Sequence, residues 1–323
     1  MKKIAVLTSG GDAPGMNAAI RAVVRQALNK GVSVVGIKKG YEGIFSKEFE
    51  TINTKDVSEI INYGGTILGT ARCEEMMQPE GVKKAYERLK DLGIDGLIVI
   101  GGDGSLTGAL KLKGYGLPVI GIPGTIDLDL ACSEYTIGFD TALNTAIDAI
   151  GKIRDTSSSH ERCSVIEVMG RNCGAIAIYS ALASGACAAL IPEVPEFSVP
   201  EVIESIIKNR IKGKTHNIVV VAEGAECNEP GLDLAKKIET KTGIESRKTV
   251  LGHLQRGGSP TVLDRIHATV MGCMAVDALI DGHINKITVV SEGKHKLMDI
   301  DEALNYKKEF DRELYDMISV LSL

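Results

Sequence analysis

The 323-residue sequence contains no tryptophan, and aromatic residues make up only 4% of it. Few rings are therefore present on which nucleic-acid bases could stack. Basic residues are not in excess either, because 37 Lys and Arg face 42 Asp and Glu and the net charge is −5. We therefore predict no nucleic-acid partner.

Long apolar runs are also missing. The mean hydropathy is slightly positive, at +0.08, but no run approaches the length of about 20 residues that a membrane helix needs. The apolar stretch at residues 4–7 is too short for a signal peptide and predicts a first β-strand. We expect a cytoplasmic protein without a membrane partner.

The cysteines are scattered and show no CxxC spacing. The seven are Cys73, Cys132, Cys163, Cys173, Cys187, Cys227 and Cys273. An odd number of isolated cysteines favours reduced cytosolic thiols over a disulfide framework or a zinc site.

Short runs rich in Val, Ile and Leu alternate with amphipathic segments. The predicted strands are residues 4–7, 34–37, 96–100, 119–122, 164–168, 218–222, 249–251 and 286–290. Between them, the predicted helices include residues 16–29, 81–92, 141–154 and 200–210. Continuous apolar strands in a β-α-β order are typical of an α/β fold with mostly parallel sheets.

Glycine-rich and acidic loops follow three of these strands, at residues 10–15, 101–105 and 123–127. Ligands of such folds bind at the carboxyl ends of the strands. A glycine-rich turn before a helix lets phosphate oxygens approach backbone N–H groups, and Asp103 within it could hold Mg²⁺. The alternative for this motif alone is a tight turn with a helix cap, and a helix is predicted from Leu106 onward.

Asp127 and Asp129 are spaced so that their side chains point the same way in an extended loop. One could deprotonate a hydroxyl while the other organises a metal ion; the alternative is two solvated aspartates. Several cations lie near other predicted strands: Arg162, Arg171, Arg247, His253 and Arg256. Three or four of them together would suit a substrate that carries a phosphate, whereas any single one is more often a surface ion-pair partner.

Together these motifs resemble, in order and spacing, those of the bacterial 6-phosphofructokinase family over essentially the whole chain. The matching segments are residues 10–17, 69–72, 101–105, 123–127, 136–142, 169–171 and 252–260. The resemblance implies two Rossmann-like three-layer α/β subdomains. A nucleotide-binding subdomain would comprise residues 1–139 and 255–303, and a sugar-phosphate-binding subdomain residues 140–254 and 304–323.

The implied reaction is phosphoryl transfer from MgATP to the 1-hydroxyl of D-fructose 6-phosphate, which gives fructose 1,6-bisphosphate and ADP in glycolysis. Asp127 would be the base, acting with Arg72, Thr125 and Arg171. ATP would contact Gly11, Arg72, Cys73, Gly102, Asp103, Gly104, Ser105 and Gly108, and Mg²⁺ would be held by Asp103 and Asp129. The sugar phosphate would contact Thr125, Ile126, Asp127, Arg162, Met169, Gly170, Arg171, Glu223, Arg247, His253, Leu254, Gln255 and Arg256.

The resemblance also implies a homotetramer, in which Arg162 and Arg247 reach the active site of a neighbouring subunit. An effector site for ADP or phosphoenolpyruvate would comprise Arg21, Arg25, Arg154, Gly185, Cys187, Lys212, Lys214, Thr215 and His216. For the two helix arginines, an exposed basic face is the alternative. Cys187 replaces an acidic ligand of this site, and a basic residue expected near Thr54 is missing. We therefore expect weakened or altered ADP activation.

Leu128 departs from the family pattern, which has Asn there, and it leaves a low-activity or non-catalytic nucleotide-sensing paralogue as an alternative. Gly104 and Gly124 stand where pyrophosphate-dependent relatives tend to have Asp and Lys, and we expect both glycines to leave space for ATP. NAD kinase shares the GGDG loop, but it lacks the set formed by Arg171, His253 and Arg256.

Overall fold

The computed structural model describes residues 1–195, 199–225, 233–307 and 310–322. The chain forms two compact units. Unit 1 comprises Met1–Thr141 and Arg256–Lys308, and unit 2 comprises Ala142–Gln255 and Glu309–Leu323.

In chain order the elements are β1 (Lys3–Thr8), α1 (Met16–Asn29), β2 (Ser33–Ile37), α2 (Glu42–Ser46), β3 (Phe49–Ile52), α3 (Pro79–Asp91), β4 (Gly96–Gly101), α4 (Asp103–Lys113), β5 (Val119–Pro123), α5 (Phe139–Ser159), β6 (Cys163–Val168), α6 (Ala175–Ser184), β7 (Ala188–Leu190), α7 (Val199–Ile211), β8 (Asn217–Ala222), α8 (Leu234–Thr242), β9 (Ser246–Val250), α9 (Val262–Ile280), β10 (Lys286–Ser291), β11 (Lys294–Asp299), α10 (Ile300–Asn305) and α11 (Arg312–Leu321). Short 3₁₀ turns lie at Ile60–Asn62, Glu75–Met77 and Gly252–Arg256.

Unit 1 is built on a seven-stranded sheet with the order β11-β10-β5-β4-β1-β2-β3. The strands from β10 to β2 are parallel, and the edge strands β11 and β3 pair antiparallel. Alternate residues of β1 face opposite sides, so Ala5 and Leu7 pack in the core beneath α3 and α4, whereas α1 and α9 cover the other face. Unit 1 thus has three layers.

Unit 2 contains a parallel four-stranded sheet with the order β7-β8-β6-β9. Cys163 and Val165 of β6 pack with residues of α7 and α8, whereas α6 contacts β7 and β8 and α11 contacts β7. The predicted α/β class with mostly parallel sheets is therefore confirmed. No described helix has both the length and the apolar character that crossing a bilayer would require.

The predicted elements differ from the structure mainly where polar residues form strands. Edge strands β3 and β11 were not predicted, because charged residues interrupt their apolar positions. The short β7 was not predicted either, because its residues are two Ala and one Leu, which are not β-branched. Strand β9 was predicted at residues 249–251 but lies at Ser246–Val250, since its exposed positions carry Arg247 and Lys248. Helix α4 begins at Asp103 and not at Leu106, because an aspartate is favourable in a first helical turn.

Candidate functional site

The strand order of unit 1 reverses between β1 and β4, because the chain continues from β1 to β2 on one side and later adds β4 on the other. Ligand sites of open α/β sheets lie at such a switch point. There the Ser9 N–H donates to the Ile100 carbonyl over 3.0 Å. A Cβ on Gly101 would lie 2.5 Å from both Ser105 Oγ and Ser9 O, so only glycine allows this approach. The predicted phosphate-binding loops are therefore neighbours.

Helix α4 points its amino end into this edge of the sheet. Gly102 caps the helix, and the N–H groups of Ser105 and Leu106 donate to its carbonyl. Asp103 is the first helical residue and is exposed, as is Gly104. Free backbone N–H groups and the helix dipole make this end suitable for phosphate oxygens.

The two glycines expected to leave space for ATP behave differently. A Cβ on Gly104 would meet no atom within 4 Å, so the space beside it is open. A Cβ on Gly124 would lie 3.1 Å from Ile100 Cγ2 and from Met16 Cε. A side chain at Gly124 would first meet these two packed side chains, so the expectation that this glycine leaves space for ATP stays a prediction.

The loop after β5 carries the acidic pair and lies beside the α4 loop. The Gly124 N–H donates to the Gly101 carbonyl over 3.0 Å, and a Cβ on Gly102 would lie 3.6 Å from Thr125 Cβ. Thr125 Oγ1 accepts from the Asp127 N–H at 3.2 Å. It also donates to Asp129 Oδ1 at 3.4 Å. The side chain of Thr125 therefore organises the loop that holds both carboxylates.

Leu128 lies between these aspartates with φ = 53°, in the left-handed region. A branched side chain is disfavoured there, and Asn is among the residues that tolerate this conformation best. The chain therefore has Leu128, in place of the family's asparagine, at a position whose left-handed backbone favours asparagine.

We expect Leu128→Asn to raise the free energy of unfolding by about 1 kcal/mol, because Asn adopts left-handed backbone with less strain. Chemical denaturation of the two proteins measures the difference. Leu128→Ala is the matched control, since it also shortens the side chain but lacks the amide that eases left-handed backbone, and it should not gain stability. An equal stability of the Leu and Asn proteins would contradict the argument.

Arg256 joins the loops after β1 and β5. Its Nη1 donates to the Asp12 carbonyl over 3.0 Å, and its Nη2 lies 3.9 Å from Asp127 Oδ2. A Cβ on Gly11 would lie 2.6 Å from Arg256 Nη1, so Gly11 makes room for the guanidinium. The Asp127 side chain is only 5% exposed.

Cys73 and Gly108, both predicted to contact ATP, lie near Tyr41. The Tyr41 hydroxyl donates to the Ser105 carbonyl over 2.7 Å, and a Cβ on Gly108 would lie 2.9 Å from its ring. Burial raises the pKa of the Cys73 thiol to about 11. Cys73 therefore contributes a neutral, packed side chain and not a thiolate. Arg72 beside it is exposed.

The donors predicted for Mg²⁺ suit that ion chemically. Asp103 and Asp129 offer carboxylate oxygens, and Mg²⁺ prefers oxygen ligands while keeping waters and substrate phosphates. Among the described residues, the group of three donors within 4.8 Å of one another is Glu42, Cys73 and Glu75, which includes neither aspartate. A site completed by nucleotide phosphates and water is thus the arrangement that these residues favour.

In unit 2, several predicted sugar-binding residues meet at the carboxyl ends of β6, β8 and β9. The Arg171 N–H donates to Glu223 Oε1 over 2.8 Å, and the Met169 N–H donates to Gln255 Oε1 over 3.3 Å. Gly170 and Arg171 both have positive φ, at 137° and 55°. Such strained backbone is often retained at ligand sites. The exposed His253 and Leu254 lie in the turn that ends at Arg256.

Arg162 and Arg247 lie at the amino ends of the strands of the same sheet, opposite to the carboxyl ends where Arg171 lies. Arg162 immediately precedes β6, and Arg247 is the second residue of β9. Glu245 forms an ion pair with both arginines, and its Oε2 atom lies 2.8 Å from Arg162 Nε. The six residues of β6 span about 20 Å at roughly 3.3 Å each. Within one unit 2, the length of β6 therefore separates these two arginines from Arg171.

Most of the predicted effector residues lie in unit 2, and Arg21 and Arg25 lie on α1 in unit 1. In unit 2, a Cβ on Gly185 would lie 4.0 Å from Arg154 Nη1. Burial and the neighbouring charges of Arg154 and Lys214 lower the pKa of His216. These cationic groups are therefore close together, as an anion site requires. The remaining members are Cys187, which is buried, and Lys212 and Thr215, which lie within two residues of Lys214 in the chain.

Comparison with known proteins agrees with these features. A sequence model of the phosphofructokinase family matches residues 3–279. The chain belongs to the phosphofructokinase family.

Similar members of this family cover the whole chain. The ATP-dependent 6-phosphofructokinase of Clostridium botulinum (strain Hall) is 56% identical over 323 residues, which is 100% of both chains. ATP-dependent 6-phosphofructokinase 1 of Clostridium perfringens (strain 13) is 54% identical over 322 residues, again 100% of both. The structure of phosphofructokinase from Saccharomyces cerevisiae has a TM-score of 0.88 and 34% identity, and the match covers 100% of this chain and 48% of that one.

Three residues of this phosphofructokinase contact predicted site residues but were not themselves predicted from the sequence: Glu245, Tyr41 and Asp264. Glu245 has a weak local signal, because it lies two residues before Arg247, directly before β9. Tyr41 and Asp264 have none, since their partners are distant in the sequence. Only the fold brings Tyr41 to Ser105 and Asp264 to Thr141.

Proposed function

We propose that this phosphofructokinase transfers the terminal phosphoryl group of MgATP to the 1-hydroxyl of D-fructose 6-phosphate. The observation that carries the proposal is the adjacency of the loop that bears Asp127 and the amino end of α4, where Gly102 faces Thr125. A base and a phosphate-binding helix end are thus placed side by side. The full-length similarity to ATP-dependent 6-phosphofructokinases supports the same conclusion.

Phosphoryl transfer needs positioning and charge neutralisation more than covalent chemistry. The N–H groups around Gly102 and Gly11 would bind the phosphates of ATP. Asp127 would orient the 1-hydroxyl and take its proton as the bond to phosphorus forms. Arg72 and Arg171 would offset the charge on the moving phosphoryl group. Asp103 and Asp129 would hold Mg²⁺, which supplies further positive charge to the phosphates.

The sugar phosphate would be bound by the remaining predicted residues. Met169, Gly170, Arg171 and Glu223 form one group in unit 2 and would hold the sugar. His253 and Arg256 would receive its 6-phosphate. In the structure Arg256 faces Asp127, and the 1-hydroxyl and the 6-phosphate are at opposite ends of the sugar. We therefore expect the Arg256 side chain to turn away from Asp127 when the sugar binds.

The location of Arg162 and Arg247 supports the homotetramer that the family resemblance implies, with active sites shared between subunits. Because β6 separates them from Arg171, they would serve the 6-phosphate bound by another copy of the chain, as the family resemblance implies. Nucleotide binding by unit 1 and sugar binding by unit 2 are part of this proposal, as are a cytoplasmic location and regulation by ADP or phosphoenolpyruvate.

A coupled assay tests the function directly. Fructose 6-phosphate is supplied with either ATP or pyrophosphate, and the bisphosphate formed is measured. We expect turnover with ATP. Turnover with pyrophosphate alone would identify a pyrophosphate-dependent enzyme, and no turnover with either donor would favour a non-catalytic paralogue.

Regulation by ADP is expected to be weak. Cys187 occupies the position of the family's acidic effector ligand, it is 2% exposed, and burial raises its pKa to about 12. A buried neutral thiol is a poor ligand for the hard metal ion that accompanies ADP.

Saturation curves for fructose 6-phosphate measured with and without MgADP check this point. We expect the curves nearly to coincide for the wild type, and Cys187→Asp to restore a shift. Cys163→Asp is the matched control, because Cys163 is a second buried thiol in unit 2. A strong shift by ADP in the wild type would contradict the expectation.

A further inference from the structure

Asp264, in the first turn of α9, is fully buried in unit 1, where four donors converge on its carboxylate. Oδ1 accepts from the Tyr135 hydroxyl and from the Gly138 N–H, both at 2.6 Å. Oδ2 accepts from the Thr141 N–H at 2.9 Å and from the Thr141 hydroxyl. An ionised carboxylate can accept all four bonds. Burial raises the pKa of Asp264, and the hydrogen bonds act against this by offsetting the cost of burying its charge.

The amino ends of α5 and α9 hold each other in a reciprocal arrangement. Asp264 of α9 binds the N–H of Thr141 in the first turn of α5. In return Thr261, which caps α9, donates its hydroxyl to Asp140 Oδ2 of α5 at 2.6 Å, and its N–H donates to Thr141 Oγ1 at 3.0 Å. Each helix end is thereby bound by side chains of the other, which gives one rigid junction.

This junction lies directly against the Asp127 loop. The Ile137 N–H donates to the Pro123 carbonyl over 2.9 Å, and the Thr136 hydroxyl donates to the Thr125 carbonyl over 2.7 Å. A Cβ on Gly15 would lie 2.7 Å from Ile137 Cγ2 and 3.5 Å from Asp264 Cβ, so the loop after β1 is packed there too. Helix α9 in turn follows the segment that begins at Arg256.

We propose that Asp264 is a positioning residue for phosphoryl transfer, which fixes the backbone behind Asp127 by holding residues 135–141 to the start of α9. The inference rests on the proposed function. It also gives a physical role to the TIGFDTA segment at residues 136–142, for which no substrate contact was predicted. Asp264 itself takes no part in the chemistry, because it is buried and its hydrogen bonds go to protein groups.

Asp264→Asn tests the proposal, because the amide keeps the size of the side chain but turns an acceptor into a donor that faces backbone N–H groups. We expect kcat to fall about 100-fold, as a small misplacement of the base would cause, and KM for ATP to change by less than about threefold. Thr288→Val is the matched control: Thr288 is a buried polar residue of β10 in the same unit. It should keep the wild-type kcat even if its stability falls.

A double variant separates positioning from a merely structural role. If Asp264 acts through Asp127, Asp264→Asn should cause no further loss of kcat in the Asp127→Asn background, whereas independent effects would multiply. Multiplied losses, or a normal kcat in folded Asp264→Asn, would overturn the proposal. Should that protein not fold, Thr141→Val removes the hydroxyl that donates to Asp264 and accepts from the Thr261 N–H. We expect it to lower kcat about 10-fold, because part of the buried network is lost. An unchanged kcat would again overturn the proposal.

Wild-type turnover is measured first. An inactive wild type overturns the proposed function, and the role of Asp264 falls with it. An active wild type together with a fully active Asp264→Asn protein overturns the role of Asp264 alone.

Discussion

Replacing Asp127 by Asn is expected to lower kcat for phosphorylation of fructose 6-phosphate by about three orders of magnitude, the middle of the range for loss of a general base. The amide cannot take the proton of the 1-hydroxyl. It keeps the shape of the carboxylate, and the Asp127 N–H bond to Thr125 is unaffected by the change. Binding of the sugar phosphate should therefore remain nearly intact.

The two quantities are measured separately, kcat by the coupled assay and the dissociation constant of the sugar phosphate by calorimetry without ATP. Asp148→Asn is the matched control, because Asp148 is an exposed aspartate of α5 that pairs with Lys152. It should behave as the wild type. A near-normal kcat in Asp127→Asn would rule out Asp127 as the base, and a large loss of sugar-phosphate affinity would show that its charge serves binding.

The central strands of unit 1 could be predicted because they are buried on both faces. Strands β4 and β5 are buried at every position, and such strands have continuous apolar sequences. The outer strands β3 and β11 each have one partner and carry charged residues, as edges that avoid association do. Their sequences contain little local information, since tertiary pairing and not apolar content makes them strands.

The loops of the site could be predicted for a related reason. Glycine-rich turns after strands are local signals, and the α/β class dictates that these loops share one edge of the sheet. What holds the loops in place is not local. Arg256 binds the Asp12 carbonyl and Asp264 binds Thr141 across long sequence separations. Neither the conformation of Leu128 nor the packing around Gly124 is visible before the backbone is known.

Gly104→Asp is expected to lower kcat/KM for ATP by about 1,000-fold, because a carboxylate would point into the open space beside the phosphate-binding end of α4 and repel the donor's phosphates by several kcal/mol. The protein itself should tolerate the change. A Cβ at Gly104 meets no atom within 4 Å, and a negative charge in a first helical turn is favourable.

Steady-state kinetics with ATP and with pyrophosphate measure the effect on donor use. Gly151→Asp is the matched control, because Gly151 is likewise a helical glycine whose Cβ would meet nothing within 4 Å, but it lies in unit 2 on α5. Gly104→Ala adds volume without charge, so it separates crowding from repulsion and should lose much less activity. An unchanged kcat/KM for ATP in Gly104→Asp would mean that the donor does not occupy the space beside Gly104. The proposal that the nucleotide binds at the amino end of α4 would then be wrong.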